Sequence, residues 1–182
     1  KVLEFGVSGR LGGHNDYYEH FKTCHLSDIS TITMGQSPSG DSVNPNNGME
    51  FHQGKIYFTD KLLKISGVKT THPTKIAPEN SVLLCVRAPV GIVNITNREI
   101  CIGRGLCALY PKTNIDLAFL YYLLISLQKE FESKGTGTTF KAISADIIKG
   151  QEIRIPSLEI QREIVGIIES IFNTLNALLY IF

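Results

Sequence analysis

The sequence lacks the patterns that mark membrane, secreted and metal-binding proteins. Its longest apolar run, Leu117 to Leu127, is too short to span a bilayer, and its first residues contain no secretory signal. The four cysteines form no C-x-x-C pair and have no histidine at zinc-finger spacing. Cys85 and Cys101 lie in apolar, strand-like runs, which predicts buried thiols. We therefore expect a cytoplasmic protein with no membrane segment and no metal site.

Motifs of nucleotide chemistry and catalysis are also missing. The stretch Lys134 to Lys141 is rich in glycine and threonine, but no Gly-Lys-Ser/Thr completes a Walker loop. Asn44 to Asn47 has neither the second proline nor the aromatic residue of the Asn-Pro-Pro-Tyr motif of amino-methyltransferases. No dinucleotide fingerprint and no nucleophile with an adjacent base are found. The sequence predicts a chain that is not itself an enzyme and holds no cofactor.

The net charge of +1 hides an uneven distribution. Residues 55–112 contain nine lysines and arginines against three acidic residues, which makes the middle third +6, whereas acidic residues outnumber basic ones on either side of it. A basic centre is typical of a surface that binds a polyanion. Lysines that protect the edge of a β-sheet would give the same count. Charge alone does not separate these two interpretations.

The length of 182 residues suits one domain of ordinary size. Alternation and turn residues predict a turn and strand over Leu26–Met34, then a long irregular loop over Gly35–Gly48. A short helix is predicted within Lys61–Lys75, and a longer one over Asp116–Phe131, capped by Asn114 or Asp116. Further strands are predicted at Lys55–Thr59, Ser81–Val86, Gly91–Thr96, Ile100–Ile102, Leu106–Tyr110 and Ile153–Ile155. The expected fold is therefore α+β, with an antiparallel or mixed sheet.

A long helix is predicted at the C-terminal end. Pro156 stops the preceding strand, and Ser157 is placed to cap a new helix. Apolar residues then repeat with heptad spacing, which indicates a coiled-coil seam or, equally, an amphipathic helix lying on its own domain. The predicted helix-packing residues are Ile160, Ile164, Ile167, Ile171, Leu175 and Leu178, with Ile168 and Phe182 widening the seam.

Several stretches together resemble a known family. They are Ile32–Gly40 (ITMGQSPSG), Phe51–Lys55 (FHQGK), Ala88–Gly91 (APVG), Gly103–Gly105 (GRG), Gly137–Ile143 (GTTFKAI) and Ile155–Val165 (IPSLEIQREIV). Over roughly Leu26 to Phe172, the sequence resembles the specificity (S, or HsdS) subunit of type I restriction-modification systems. It corresponds to one target recognition domain and part of the flanking spacer helices.

The resemblance implies a division of the chain. Residues 1–13 would be the tail of a preceding spacer helix, 14–25 a linker, 26–155 the target recognition domain and 156–182 the start of the next spacer helix, cut short. The family also implies a non-catalytic reader of one half of a bipartite double-stranded DNA target. Its partners would be methylation (M) subunits, which use S-adenosylmethionine, and restriction (R) subunits, which use ATP and magnesium. Self-association through the helices is a further expectation.

If the chain reads DNA, base or groove contacts need paired donors and acceptors, and phosphate contacts need cations or hydroxyls. The candidates for base or groove contacts are Gln36, Ser37, Ser39, Arg87 and Arg104. The candidates for phosphate contacts are Lys55, Lys69, Lys134, Thr136, Thr138 and Lys141. The structural alternatives are that Gln36 holds its own loop together, that either arginine pairs with an internal carboxylate or Arg104 packs under the sheet, and that the Lys134–Lys141 stretch is a structural turn.

Two other functions stay open at the level of sequence. One is an assembly module that binds a methylation subunit while the DNA contacts lie elsewhere. The other is the recognition fragment of a fused DNA methyltransferase, against which the missing cofactor and catalytic motifs count. The sequence does not give the recognised bases, nor whether this is the first or second recognition domain of a longer subunit.

Overall fold

The computed structural model describes residues 21–137 and 141–179, apart from the side chain of Leu179. Within them the helices are α1 Leu26–Ile29, α2 Leu117–Ser126, α3 Gln128–Lys134, α4 Ala145–Lys149 and α5 Leu158–Leu179. The first strands are β1 Lys22–His25, β2 Ser30–Met34, β3 Val43–Asn44, β4 Met49–His52, β5 Lys69–Thr70 and β6 Ile76–Ala77. The remaining strands are β7 Ser81–Cys85, β8 Val93–Thr96, β9 Ile100–Ile102, β10 Leu106–Pro111 and β11 Glu152–Ile155.

The central sheet is antiparallel, with the order β2-β10-β7-β8. Strand β7 is buried along its whole length, and its side chains alternate between two apolar clusters. Val82 and Leu84 belong to the cluster that includes α2, whereas Leu83 and Cys85 belong to the cluster that includes β9. A strand covered on both faces reads as a continuous apolar run, which explains the SVLLC sequence.

A second sheet covers the other face. Its order is β3-β5-β4-β9-β6, and it is mixed because β4 runs parallel to β9 while the other pairs are antiparallel. A small third sheet pairs β1 with β11. The predicted α+β class with a mixed or antiparallel sheet is confirmed. Residues 22–25, which the sequence assigned to the linker, form β1.

Three local predictions are wrong. The strand expected over Lys55–Thr59 is a 3₁₀ turn at Lys55–Tyr57, closed by a bond from the Phe58 amide to the Lys55 carbonyl at 2.9 Å. The short helix expected within Lys61–Lys75 does not form. This stretch contains β5, which pairs with β3 and β4 in the mixed sheet. The single helix over Asp116–Phe131 is divided at Leu127 into α2 and α3. The Asp116 cap is confirmed, since its carboxylate accepts from the Phe119 amide at 3.0 Å.

The C-terminal helix forms as predicted. The Ser157 hydroxyl accepts from the Ile160 amide at 3.5 Å, and the helix continues to Leu179. Its first turns lie on the domain: Ile168 is only 3% exposed, and Ile164 packs against the same core. The buried Gln161 carboxamide accepts from the Asp116 amide at 2.9 Å and donates to two backbone carbonyls. These bonds fix where the helix leaves the domain.

Other apolar side chains of the helix are exposed. The side chains of Ile167, Ile171, Leu175 and Leu178 are 54%, 38%, 51% and 51% exposed. The first turns thus form an amphipathic helix lying on its own domain, and the coiled coil stays a prediction. No helix in the described residues is long and apolar enough to cross a membrane. The predicted helix tail at 1–13, the linker as far as 20, Thr138 and residues 180–182 lie outside the description.

Candidate nucleic-acid interface

Two glycine-containing segments meet at one end of the central sheet. The Gly35 amide donates to the Leu106 carbonyl at 2.9 Å, and the Gln36 amide donates to the Ile102 carbonyl at 3.0 Å. A Cβ atom at Gly35 would lie 2.1 Å from the Gly103 carbonyl oxygen, so only glycine fits. This close approach places the loop after β2 directly beside the turn between β9 and β10.

A third segment, which follows β4, joins the same place. A Cβ atom at Gly105 would lie 2.2 Å from the Gln53 carbonyl oxygen. The Ser37 hydroxyl donates to the Gln53 side-chain oxygen at 3.4 Å, and the Arg104 amide donates to the Ser37 hydroxyl at 3.4 Å. Ser37 therefore links three loops through long bonds, while the side chain of Arg104 is exposed.

Arg87 lies beside this junction. It follows β7, and its backbone pairs with Ala142, while the Val86 amide donates to the Gly105 carbonyl at 3.0 Å. A recess of about 170 Å³, which we call the cationic recess, opens here. It is lined by Gln53, Gly54, Lys55, Cys85, Arg87, Ala88, Pro89 and Gly105. Backbone and small side chains form most of its wall, so a flat or anionic group can approach the two cations.

The predicted cations divide into two groups by what they contact. Lys55, Arg87 and Arg104 are exposed, and none of them forms an ion pair with another described residue. Lys134, in contrast, donates to Glu130 at 2.7 Å and to the Gln151 side chain at 2.8 Å. An unpaired cation at a recess attracts an anion without first breaking an internal contact.

The other predicted contact residues lie at varying distances from the recess. Lys141 adjoins Arg87 because its carbonyl accepts from the Ala88 amide at 3.0 Å, and Thr136 pairs with the neighbouring Ala142. The Lys141 ammonium group donates to the Glu132 carbonyl at 3.4 Å. Lys69 lies on β5, where it pairs with Glu50 of β4, and its ammonium group donates to the Asn46 carbonyl at 3.5 Å.

Gln36 and Ser39 hold parts of the long loop. The Gln36 carbonyl accepts from the Thr74 hydroxyl, and its own side chain is exposed. The Ser39 carbonyl accepts from the Ser42 amide at 3.1 Å, and a hydrogen bond from Ser39 is the main cause that lowers the pKa of Asp41. The structure thus brings Gln36, Ser37, Lys55, Arg87 and Arg104 together, while Ser39, Lys69 and Lys134 have contacts of their own.

A half-buried ionic network behind the recess was not predicted from the sequence. Glu50 accepts from the Arg98 guanidinium through both oxygens, at 2.6 and 2.7 Å, and from the Ser66 amide at 2.6 Å. The buried His52 ring donates to the same carboxylate at 2.7 Å. Glu50 and His52 are two apart on a strand, but Arg98 is 48 residues away from Glu50, so no local pattern in the sequence indicates the network.

Ionisation in this region follows from burial and bonding. Burial opposes the charge of Glu50, but the hydrogen bonds from Arg98, Ser66 and His52 outweigh it and lower its pKa to about 2. Burial lowers the pKa of His52 despite the attraction of Glu50, which favours a neutral ring. Burial raises the pKa of Cys85 to about 11, so this thiol at the recess is a poor nucleophile near neutral pH. The predicted burial of Cys85 and Cys101 is confirmed.

Comparison with known families gives a consistent match. Residues 18–179 match the family model described as "Type I restriction modification DNA specificity domain". The chain is 37% identical over 142 residues to the putative type I restriction enzyme MjaX specificity subunit of Methanocaldococcus jannaschii, covering 77% of this chain and 33% of that protein. It is 28% identical over 160 residues to the type I restriction enzyme MjaIX specificity subunit of the same organism, covering 79% and 36%.

Solved structures agree with the sequence comparisons. The HsdS subunit from Thermoanaerobacter tengcongensis superposes with a TM-score of 0.83 and 32% identity, over 97% of this chain and 44% of that one. The S subunit from M. genitalium superposes with a TM-score of 0.65 at 21% identity, over 93% and 43%, a likeness that shows the fold alone. The chain spans about a third of the length of these curated relatives and less than half of these solved chains.

Proposed function

Because the chain belongs to the family of type I restriction-modification DNA specificity domains, we propose that it reads one half of a bipartite double-stranded DNA target. The observation that carries this proposal is the convergence of Lys55, Arg87 and Arg104 on one surface, exposed and without an ion pair in the described part of the chain. The second half of the target would be read by a second recognition domain, since the chain spans under half of its solved relatives.

The two kinds of DNA contact have different requirements. Base reading needs side chains fixed in position, and Arg87 and Arg104 extend from loops tied down by backbone bonds on either side. Gln36, Ser37 and Ser39 complete the proposed base or groove contacts. Phosphate contacts tolerate mobile side chains and are assigned to Lys55, Lys69, Lys134, Thr136, Thr138 and Lys141. The ion pair of Lys134 with Glu130 would have to exchange for a phosphate contact.

The chain would act as the non-catalytic part of a larger complex. Methylation subunits with S-adenosylmethionine and restriction subunits with ATP and magnesium would carry the chemistry, in the cytoplasm. The exposed stripe Ile167, Ile171, Leu175 and Leu178 is the proposed surface for packing against a second spacer helix or for self-association. That same stripe supports the alternative function, an assembly module that docks a methylation subunit.

Selection from random duplex DNA tests the proposal. The 182-residue chain is incubated with a pool of randomised duplexes, alone and together with its methylation subunit, and bound sequences are recovered and read. The proposal expects one short motif to be enriched, with affinity that falls steeply as salt rises. Recovery of an unenriched pool in both arms, with the methylation subunit still bound to the chain, would establish the assembly module instead.

A further inference from the structure

Two isoleucines stand out from the surface next to the cationic recess. Ile56 is 86% exposed and Ile65 is 75% exposed, the highest values among the large apolar side chains in the described residues. Each directly follows an exposed lysine, Lys55 or Lys64. The Lys64 amide donates to the Tyr57 carbonyl at 2.9 Å, which joins the two segments side by side. The result is an apolar pair with a cation beside each member.

The backbone that carries this pair is firmly held. The Glu50 carboxylate accepts from the Ser66 amide at 2.6 Å, directly after Ile65. Arg98 donates to the carbonyls of Leu63 at 3.2 Å and Lys64 at 3.0 Å. On the Ile56 side, the His52 ring meets the edge of Tyr57 with 5.3 Å between ring centroids. The ionic network thus fixes the segments from which both side chains extend into solvent.

Single exposed apolar residues are common and need no explanation. Two exposed apolar side chains on adjacent, firmly held segments are different, because neighbouring exposed apolar groups mark interaction sites more often than scattered ones do. Lys55 and Lys64 form no ion pair with any other described residue, and Lys55 also lines the cationic recess beside Arg87. The apolar pair is therefore continuous with the proposed DNA-binding surface and has the charge complementarity that a polyanion requires.

Duplex DNA offers one apolar group at a base edge in the major groove, the 5-methyl group of thymine. We propose that Ile56 contacts the 5-methyl group of one thymine in the target, with Ile65 as its apolar neighbour. The inference rests on the proposed function, since it requires that DNA lies along the recess. Gln53 and Arg87, which line the recess with Lys55, belong to the residue types that read base edges in the same groove, and Ile56 directly follows Lys55.

The test combines a change in the protein with a change in the DNA. Each thymine of the selected target is replaced in turn by deoxyuridine, which lacks only the methyl group, and binding is measured for the 182-residue chain and for Ile56→Ala. The original chain should lose about fourfold in affinity at one position, the equivalent of ~0.8 kcal/mol for a buried methyl group. Ile56→Ala should bind the thymine target more weakly by a similar factor and lose nothing further at that position.

Ile76→Ala is the matched control, because it makes the same change at an exposed isoleucine on β6 that is not among the proposed contact residues. It should keep the full response to deoxyuridine. The proposal would be overturned if Ile56→Ala lost as much affinity as the original chain at every thymine replaced by deoxyuridine. A selected half-site without thymine would also overturn it. If Ile56→Ala instead lost affinity equally for all targets and bent DNA less, Ile56 would be identified as a side chain inserted between base pairs, and the methyl contact would be refuted.

Two further outcomes separate this inference from the function on which it rests. If the original chain enriches no motif, the proposed function fails before Ile56 is considered. If the motif is enriched and Ile56→Ala binds all targets normally but loses a methylation subunit, the isoleucine belongs to a protein interface and the methyl contact is refuted.

Discussion

At the scale of single residues, Glu50 has the largest structural role near the proposed interface. It accepts four hydrogen bonds, from Arg98, His52 and Ser66, and these connect β4, the segment around Ile65 and the turn before β9. Breaking a largely buried pair by removing one partner costs more than the pair contributes, because the remaining charge stays unpaired. The network therefore positions the loops around the recess without itself having to touch DNA.

Glu50→Gln should lower the free energy of unfolding by about 2–4 kcal/mol at pH 7. The pKa of Glu50 is about 2 in the folded chain against an ordinary 4.5, so its contribution is present above pH 4.5 and is lost as the pH falls toward 2. The deficit of the variant should therefore shrink, by about 1–2 kcal/mol between pH 7 and pH 3 once solvent screening is allowed for. Urea unfolding at both pH values measures it.

Glu79→Gln provides the control for this prediction, since Glu79 is exposed in the turn before β7. Its effect should stay within ~0.5 kcal/mol at either pH. A deficit of Glu50→Gln that is the same at pH 7 and pH 3 would mean that the charge of Glu50 does not stabilise the fold.

At the scale of elements, sequence patterns predict the buried strands but not the turn that follows β4. The sequence predicts strands at Ser81–Val86 and Leu106–Tyr110, because burial on both faces requires unbroken apolar runs, and strands form at Ser81–Cys85 and Leu106–Pro111. The run Ile56-Tyr57-Phe58 is equally apolar, but its first two residues lie in a 3₁₀ turn and the side chain of Ile56 is exposed. The His52 ring contacts Tyr57, and the Lys64 amide donates to the Tyr57 carbonyl; the apolar pattern of the run encodes neither contact.

Helix α5 allows a direct comparison of two adjacent isoleucines. Ile168 is buried on the domain and Ile167 is mostly exposed. Ile168→Ala should destabilise the chain by about 2–4 kcal/mol, through lost burial and the cavity left behind. Ile167→Ala should stay within ~0.5 kcal/mol. Urea unfolding at low micromolar concentration measures both, because self-association through the exposed stripe would otherwise stabilise the chain. Equal effects would contradict the packing of this helix.

At the scale of the whole molecule, the charge distribution of the sequence agrees with the proposed interface only in outline. The basic middle third is open to two interpretations, a polyanion surface or a protected sheet edge, and the structure places Lys55, Arg87 and Arg104 from that third at one end of the central sheet. The sequence did not indicate that Lys134 is paired with Glu130, because that contact forms only when α3 does. Nor did it single out Gln53, which becomes a neighbour of Ser37 through the close approach at Gly105.

The salt dependence of binding separates these cations. Each phosphate contact contributes about 0.9 to the slope of log affinity against log salt concentration, so Lys55→Ala should reduce the slope by about one and weaken binding to all sequences alike. Lys134→Ala and Lys141→Ala should do the same if their present contacts exchange for phosphate.

Lys112→Ala is the control, because Lys112 follows β10 at the end of the central sheet opposite Arg104 and donates to the Ser27 carbonyl at 2.8 Å. An unchanged slope for Lys134→Ala and Lys141→Ala, with a reduced slope for Lys55→Ala, would confine the DNA contacts to the cationic recess.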